Sequence, residues 1–599
     1  MRLKNINRYL IPSVFVLVGL AIASFFFAGE WKSALSVQKP LTQLMKYGNL
    51  RSDASTAKWR FVPGISQKLL QNATLPEVVF SATDFSPSAA GKVIASIPFE
   101  PKKDGFSFEN YINTDDATYK DLGMEQLRRL FGDAVCIDPA AKKCKLTRAA
   151  VQWMQEFNTA MSEGGHCEGL SALSLIFFSK LEDPTPFGSK ITNKLELEGN
   201  EPLQREIAVF FSTQGTEPTM SAVTENVTPV EIVNKLIQAL KDFPKTNETF
   251  SLGIYQPNFK AGHAITPIAV KDMGNNKMVV VVYDNNFPDV KRELTVDMKN
   301  NKWIYKASTN PYDPESTYQG DKKTKTLDLT PTLVRLRRQS CPFCSGDEDE
   351  SLPESQYNRI HLEGLHSMVL ADDFGNQTGY VDGELINDIP GTKIQPWRSA
   401  WQKNALQPTY LTPLDLQLDL SINGNGSSTK NKSTLSLYGP GYGFVVDEID
   451  LKNGKEEMYR VSRQGKALTH IVKNMQNPVD SLIWSTEDAD YGLTLEGTDL
   501  PENSRYSFWL ENEKKRVVMS VEESPDPLSF SVVLGRMEGE NEQDYSLEDL
   551  SLEAGDIVYM KYIPWDTTDT KRTLEVDRGG DGKIDEKLSM EEVQAGENL

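Results

Sequence analysis

Cysteine and histidine are scarce in this chain: its 599 residues carry five of each. With so few thiols and imidazoles, any chemistry that needs them has a short list of candidates. Basic clusters are missing as well. Lys and Arg number 64 against 84 Asp and Glu, a net charge of −20. So acidic a chain gains nothing from the counterion release that drives nucleic-acid binding, and nucleic-acid partners are excluded. No cysteine follows the N-terminal apolar run, which excludes lipoprotein anchoring. No internal repeat is clean enough to define a solenoid or propeller.

What is present is globular. Hydrophobic residues make up 39% and charged residues 25%, too apolar for disorder throughout and too long for one core, so two to four domains are expected. Arg2, Lys4 and Arg8 precede an apolar run from Tyr9 to Ala28. About 20 residues at roughly 1.5 Å each just cross a bilayer core of about 30 Å. Positive charge on the near side predicts a cytoplasmic N-terminus and an exported remainder. The run reads as an uncleaved membrane anchor, with a signal peptide cut near Ala21-Ile22-Ala23 as the alternative.

In an oxidising compartment the five cysteines divide into two local disulfides and one free thiol. Cys136 and Cys144 bracket a short loop, Cys341-Pro342-Phe343-Cys344 forms a second pair, and Cys167 is left over. The second pair has no zinc-finger partner pair and no thioredoxin-like context, so a structural disulfide is expected.

Hydrophobic spacing predicts helices around Leu122–Phe131, from an N-cap at Thr147 through Trp153, Phe157 and Met161, and from Cys167 through Phe178. A fourth is capped at Thr228, with Pro229 first and Glu231 three after the cap. The pattern then changes to period two: Leu252–Tyr255, His263–Val270 and Met278–Tyr283 read as strands. From about 405 to 576 helical period is nearly lost. Alternating runs such as Leu416–Leu420 and Ser529–Leu534 lie between turns such as Asn423-Gly424-Asn425-Gly426 and Gly439-Pro440-Gly441, as in β-sandwich modules.

A helix N-terminus lowers a thiol's pKa and presents N–H groups to an oxyanion. Cys167 stands at such a start, after Gly164-Gly165-His166. His166 is its sequence neighbour and a poor base, because adjacent side chains diverge; His263, opening a strand after Ala261-Gly262, is the better one. A hairpin centred near Gly274 puts Asn285 opposite His263, within one position of Asp284. Either could hold the second imidazole nitrogen. His361, His366 and His470 are isolated, and core or surface roles suffice for them.

Gly164-Gly165-His166-Cys167-Glu168-Gly169-Leu170, Gly262-His263-Ala264 and Tyr283-Asp284-Asn285-Asn286-Phe287-Pro288 resemble motifs of exported bacterial papain-like proteins. The resemblance spans about residues 100–310 and takes in Gly105–Tyr111 and Leu130–Asp133. In the wider papain and C39-like superfamily the matching Cys, His and Asp/Asn are catalytic, which implies Cys167, His263 and Asp284 or Asn285 here. Those peptidases carry a glutamine about six residues before the cysteine, where this chain has Met161. Helices first and strands second read as α+β, and the resemblance implies a papain-like domain, placed over 96–345; the alternating runs beyond it read as all-β sandwich-type modules. Flanking it are an anchor or signal over 1–30, an irregular linker over 31–95, a small β-rich connection over 346–404 and sandwich modules over 405–599. The acidic run Gly346–Glu350 marks the first boundary.

The implied activity is extracytoplasmic, thiol-dependent cleavage of a peptide or amide bond, with a peptide or protein as substrate. A transglutaminase-type acyltransferase is the first alternative. The second is an inactive scaffold whose β modules bind a cell-surface glycan or protein. No cofactor is required by this chemistry. Asp577-Arg578-Gly579-Gly580-Asp581-Gly582-Lys583-Ile584-Asp585 matches a calcium loop at positions 1, 5, 6 and 9, but Gly579 and Leu588 stand at positions 3 and 12. Asp577, Asp581 and Asp585 are therefore read as calcium ligands or as a solvated acidic turn.

Overall fold

The computed structural model describes residues 91–599, except 115–116, 141–142, 260, 309, 313, 345–356, 399–406, 425–431, 453, 487–488, 540, 566–569 and 594–599. The N-terminal apolar run, most of the 31–95 linker, the acidic run 346–350 and the Asn425-Gly426 half of one turn lie outside the described residues. Among those described, no helix is long and apolar enough to cross a membrane.

Five helices of eight or more residues lie between the first strand, Lys92–Ser96, and the strands that follow. Helix α1, Met124–Phe131, buries Leu127, Leu130 and Phe131. Helix α2, Arg148–Gly164, starts at Thr147, whose side chain accepts from the Ala150 N–H, and buries Trp153, Phe157, Ala160 and Met161. Helix α3, Cys167–Phe178, is buried on every side as far as Phe177. Its sequence leaves no polar stripe, so it can only be central. Helix α4, Glu201–Ser212, opens on Asn200, whose side chain accepts from the Leu203 N–H. Helix α5, Pro229–Thr246, carries the reciprocal Thr228–Glu231 capping box and Pro229 at its first turn.

Helices α3 and α5 pack on an eight-stranded antiparallel sheet. Its strands are β1 Lys92–Ser96, β2 Phe250–Tyr255, β3 Gly262–Asp272, β4 Lys277–Tyr283, β5 Lys291–Asp297, β6 Lys302–Ala307, β7 Ser316–Asp321 and β8 Leu327–Pro331. The order is β7-β6-β5-β4-β3-β2-β8, with β1 added on β3. Strand β3 pairs β2 through His263–Ile254 and β4 through Thr266–Tyr283, with a bulge between Pro267 and Ala269.

The remaining chain forms a second, 20-stranded sheet. Its hairpins alternate between two layers. Tyr442–Ile449 pairs Val479–Ser485, skipping the Glu456–Val461/Ala467–Ile471 hairpin, and Ala467–Ile471 pairs Arg505–Glu511 in the other layer. Asp490–Thr498 then pairs Leu528–Glu538, and Arg516–Glu523 pairs Ile557–Lys561. Glu586–Glu592 pairs strands of both layers, Asn541–Leu552 and Lys571–Asp577, and joins them at the far end. One core fills the space between, with Trp484, Tyr506, Phe508 and Phe530 among its large members.

This architecture overturns the expected fold class. The molecule is mostly β, 42% strand against 22% helix, with a near-barrel 20-stranded sheet and a half-barrel sheet, and is not a papain-like α+β fold followed by sandwiches. The physical reason lies in long-range pairing. Strand Tyr357–Glu363 hydrogen-bonds to Ser433–Gly439 and to Thr409–Pro413, so the stretch read as a small connection belongs to the large sheet. Alternation identifies strands one at a time, whereas the hydrogen bonds that merge them into one sheet join residues far apart in sequence.

Helix α2 packs against the large sheet and helix α4. Arg359 of the large sheet meets buried Glu156 through two bonds of 2.7 and 2.8 Å, and the Arg148 N–H donates to Asp490 at 2.8 Å. Cys341 and Cys344 are disulfide-bonded, as are Cys136 and Cys144. The first pair fixes Phe343 against Phe131, Trp153 and Tyr438, a structural position.

Candidate functional site

Helix α2 ends at Gly165, whose φ of 105° is open to glycine and strained for other residues. The chain reverses there and starts α3 at Cys167. His166 is fixed by its neighbours: its ring faces the Tyr111 carbonyl at 2.9 Å and Asp121 at 2.7 Å, and its N–H donates to Asn110 at 2.7 Å. It is a positioning group for the turn and faces away from the thiol chemistry. Cys167 is the free cysteine among the described residues, and it is buried.

His263 at the start of β3 and Asp284 just beyond β4 are brought beside α3. His263 Nε2 lies 2.8 Å from Asp284 Oδ1. The Tyr305 hydroxyl donates to Asp284 Oδ2 at 2.7 Å, and the Asn286 N–H donates to Oδ1 at 3.0 Å. Asp284 is thus the orienting residue. Asn285 points the other way, donating to the Cys167 and Ala264 carbonyls and to the Ser171 hydroxyl at 3.0–3.1 Å. It ties α3 to the sheet. The last β3–β4 pair is Thr266–Tyr283, so a count from Gly274 cannot choose between the two: β4 ends at Tyr283, and Asp284 and Asn285 turn to different partners in the segment that follows.

Burial pulls the His263 imidazole down, but Asp284 and the Cys167 sulfur outweigh it and push the pKa up to about 10. Burial acts to raise Asp284, yet His263, Tyr305 and the Asn286 N–H hold its carboxyl below the usual range. The pair is therefore an imidazolium beside a carboxylate at neutral pH. Among the described residues, His263 Nδ1 has no partner of ordinary hydrogen-bond geometry. The Cys167 sulfur faces the ring and is among the groups that push it up. In the closed structure the thiol donates elsewhere, to the Arg398 carbonyl at 2.6 Å.

That contact belongs to a strap missed by sequence reasoning. Cys167, His263 and Asp284 are all 0% exposed, and Arg398 lies across the thiol. The Arg398 N–H donates to Gln214 at 3.1 Å. Its guanidinium donates to Glu168 at 2.9 Å, Asp328 at 2.7 Å and Thr330 at 2.7 Å. Arg335 bonds to the same Glu168 oxygen, Oε1, and the Tyr255 hydroxyl donates to Asp328 at 2.6 Å. Glu168 offered a signal: a carboxylate inside a helix with no polar face needs a buried cation. Arg398 offered none, since nothing local ties it to a thiol 231 positions away.

The other named residues stand apart. His361 is buried between Glu156 and Trp397, and burial pulls it down to about 4. His366 is paired with Ser433 and the Leu451 carbonyl, and His470 with Asp480 and Glu457. In the acidic C-terminal loop, Asp577 accepts from the Gly582 N–H, Asp581 from the Lys583 N–H and Asp585 from the Arg578 N–H. Each carboxylate closes its own turn, and no cluster of three or more metal-ligating side chains occurs among the described residues. No family model, curated protein or solved structure matches the chain, so the site is read from its own geometry.

Proposed function

We propose that Cys167, His263 and Asp284 form a nucleophilic thiol site that cleaves a peptide or amide bond. The observation that carries this reading is the buried His263–Asp284 pair at 2.8 Å, whose second imidazole nitrogen is left to a lone free cysteine at a helix start. Cys167 attacks the substrate carbonyl as thiolate. His263, held as imidazolium by Asp284, gives its proton to the leaving amine and then activates the water that releases the acyl group. The backbone N–H groups of the first turn of α3 receive the oxyanion. Two disulfides accord with an extracytoplasmic, oxidising location.

Alkylation of the folded, unreduced chain with iodoacetamide between about pH 5 and 9, mapped by mass spectrometry, tests the proposal. Labelling at Cys167 that persists below about pH 7 and is slowed by His263→Ala supports it. A Cys167 that labels only above about pH 8, like an ordinary thiol, refutes it and favours a scaffold whose large sheet binds a partner.

A further inference from the structure

We infer that this site takes an arginine on the acyl side of the bond it attacks, with Trp397-Arg398 as a built-in occupant that keeps the site closed. The inference rests on the thiol reading above and adds its substrate class.

Three observations converge. The first is charge. Glu168 and Asp328 are buried carboxylates held by two guanidinium groups, Arg335 from the same layer and Arg398 from the strap. Withdrawing Arg398 leaves two carboxylates against one guanidinium, with the Thr330 hydroxyl free to accept. Such a cavity is selective for a cation, and for a planar guanidinium above an ammonium, because Glu168 and Asp328 engage separate nitrogens.

The second is fit. Glu168 Oε2 and Arg398 Nε are both buried without a partner among the described residues. The resident arginine satisfies its pocket incompletely, so an incoming one can compete with it. A cavity of about 220 Å³ adjoins the pocket, lined in part by Glu225, Tyr255, Asp328, Gln395 and Arg398.

The third is backbone approach. A Cβ on Gly253 would lie 2.6 Å from Arg398 Nε and 2.3 Å from Asp328, and one on Gly262 would lie 2.1 Å from the Trp397 carbonyl. Both glycines sit inside paired strands, where glycine marks the close approach of another chain or a ligand. The strap therefore lies where an extended peptide would, with its arginine in the acidic pocket and the carbonyl of that arginine 2.6 Å from the thiol.

With a substrate arginine in place of Arg398, the Cys167 thiolate bonds to the arginyl carbonyl carbon. The carbon–nitrogen bond then breaks, and the leaving amine takes the His263 proton. Water, deprotonated by His263, attacks the thioester and releases an arginine carboxylate and the Cys167 thiol.

The test compares the wild-type chain with Arg398→Ala and Arg398→Lys, the latter keeping a cation should alanine prevent folding. Each is treated with acyl-arginyl and acyl-citrullyl chloromethyl ketones, which match in shape and differ in charge, and adducts on Cys167 are quantified. A folded variant should react with the arginyl probe about tenfold faster than with the citrullyl probe, and about tenfold faster than wild type does. Agmatine should slow that reaction. Equal rates for the two probes, with Cys167 labelled, overturn the arginine inference and leave the thiol site standing. A Cys167 that resists both probes and iodoacetamide in every folded variant overturns the thiol reading and this inference together.

Discussion

The molecule buries one arrangement twice. In the smaller sheet, His263 faces Asp284, which accepts from the Tyr305 hydroxyl. In the larger sheet, His470 faces Asp480 at 3.1 Å, and Asp480 accepts from the Tyr506 hydroxyl. Each imidazole loses solvation and is pushed up by its carboxylates, His263 to about 10 and His470 to about 9. They differ at the second nitrogen. His470 Nε2 is taken by Glu457 at 3.2 Å, closing the cluster on itself. His263 Nδ1 has no such partner and shares its surroundings with Cys167. A buried histidine with an acid is thus no sign of catalysis; what matters is the nitrogen left over and what stands beside it.

The comparison can be broken most severely at the imidazoles. His263→Ala should slow any thiol-dependent turnover by about 10²- to 10⁴-fold, the usual worth of a general acid–base group. His470→Ala should leave the rate of Cys167 alkylation unchanged and lower the unfolding midpoint. A large loss of alkylation in the His470 variant would mean that the two clusters are coupled.

Replacing the acids should separate them next. Asp480→Asn breaks a fully buried ion pair and should cost about 3–5 kcal/mol of stability in urea unfolding without touching Cys167 reactivity. Asp284→Asn carries a similar stability cost but should also shift the pH profile of Cys167 alkylation, because the imidazolium loses its counter-charge. Identical alkylation profiles for both variants would remove the distinction.

Stability against pH gives a smaller effect with a defined sign. Both imidazoles are raised above the ordinary 6.5. Their contributions are fully present below about pH 6.5 and are lost as pH rises through about 9 for His470 and about 10 for His263. Cys167→Ala removes one of the groups raising His263, so its part of the loss should be complete at a lower pH, while that of His470 stays in place. Urea titrations from about pH 6 to 10 read this directly. The smallest change is to the hydroxyls: Tyr305→Phe should slow Cys167-dependent turnover about tenfold, whereas Tyr506→Phe should leave it unaltered.

Much of the local structure is legible in the sequence. Thr147, Thr228 and Pro229 announce their helices because capping acts within a few residues of the cap. Gly439-Pro440-Gly441 announces its hairpin, which closes between Gly439 and Tyr442. Helix α4 went unread, although Asn200 caps it. The site was half legible. A cysteine at a helix start and a histidine at a strand start are local patterns, and the structure brings them together. The choice of Asp284 over Asn285 was made beyond the end of β4 at Tyr283, where the chain leaves the strand and strand alternation no longer says where a side chain points.

By itself the sequence determined where the capped helices start and where several strands run, which cysteines can pair locally, and which thiol and imidazole were available to meet. Capping, alternation and short loops involve neighbours along the chain. Only the tertiary structure decided that the strands after 357 join one 20-stranded sheet, and that Arg398 lies across Cys167 with its guanidinium between Glu168 and Asp328. Those outcomes depend on burying charge beside its counter-charge and on pairing backbone groups across hundreds of residues. Both are settled by which surfaces meet in space, and the spacing of residues along the chain carries no trace of them.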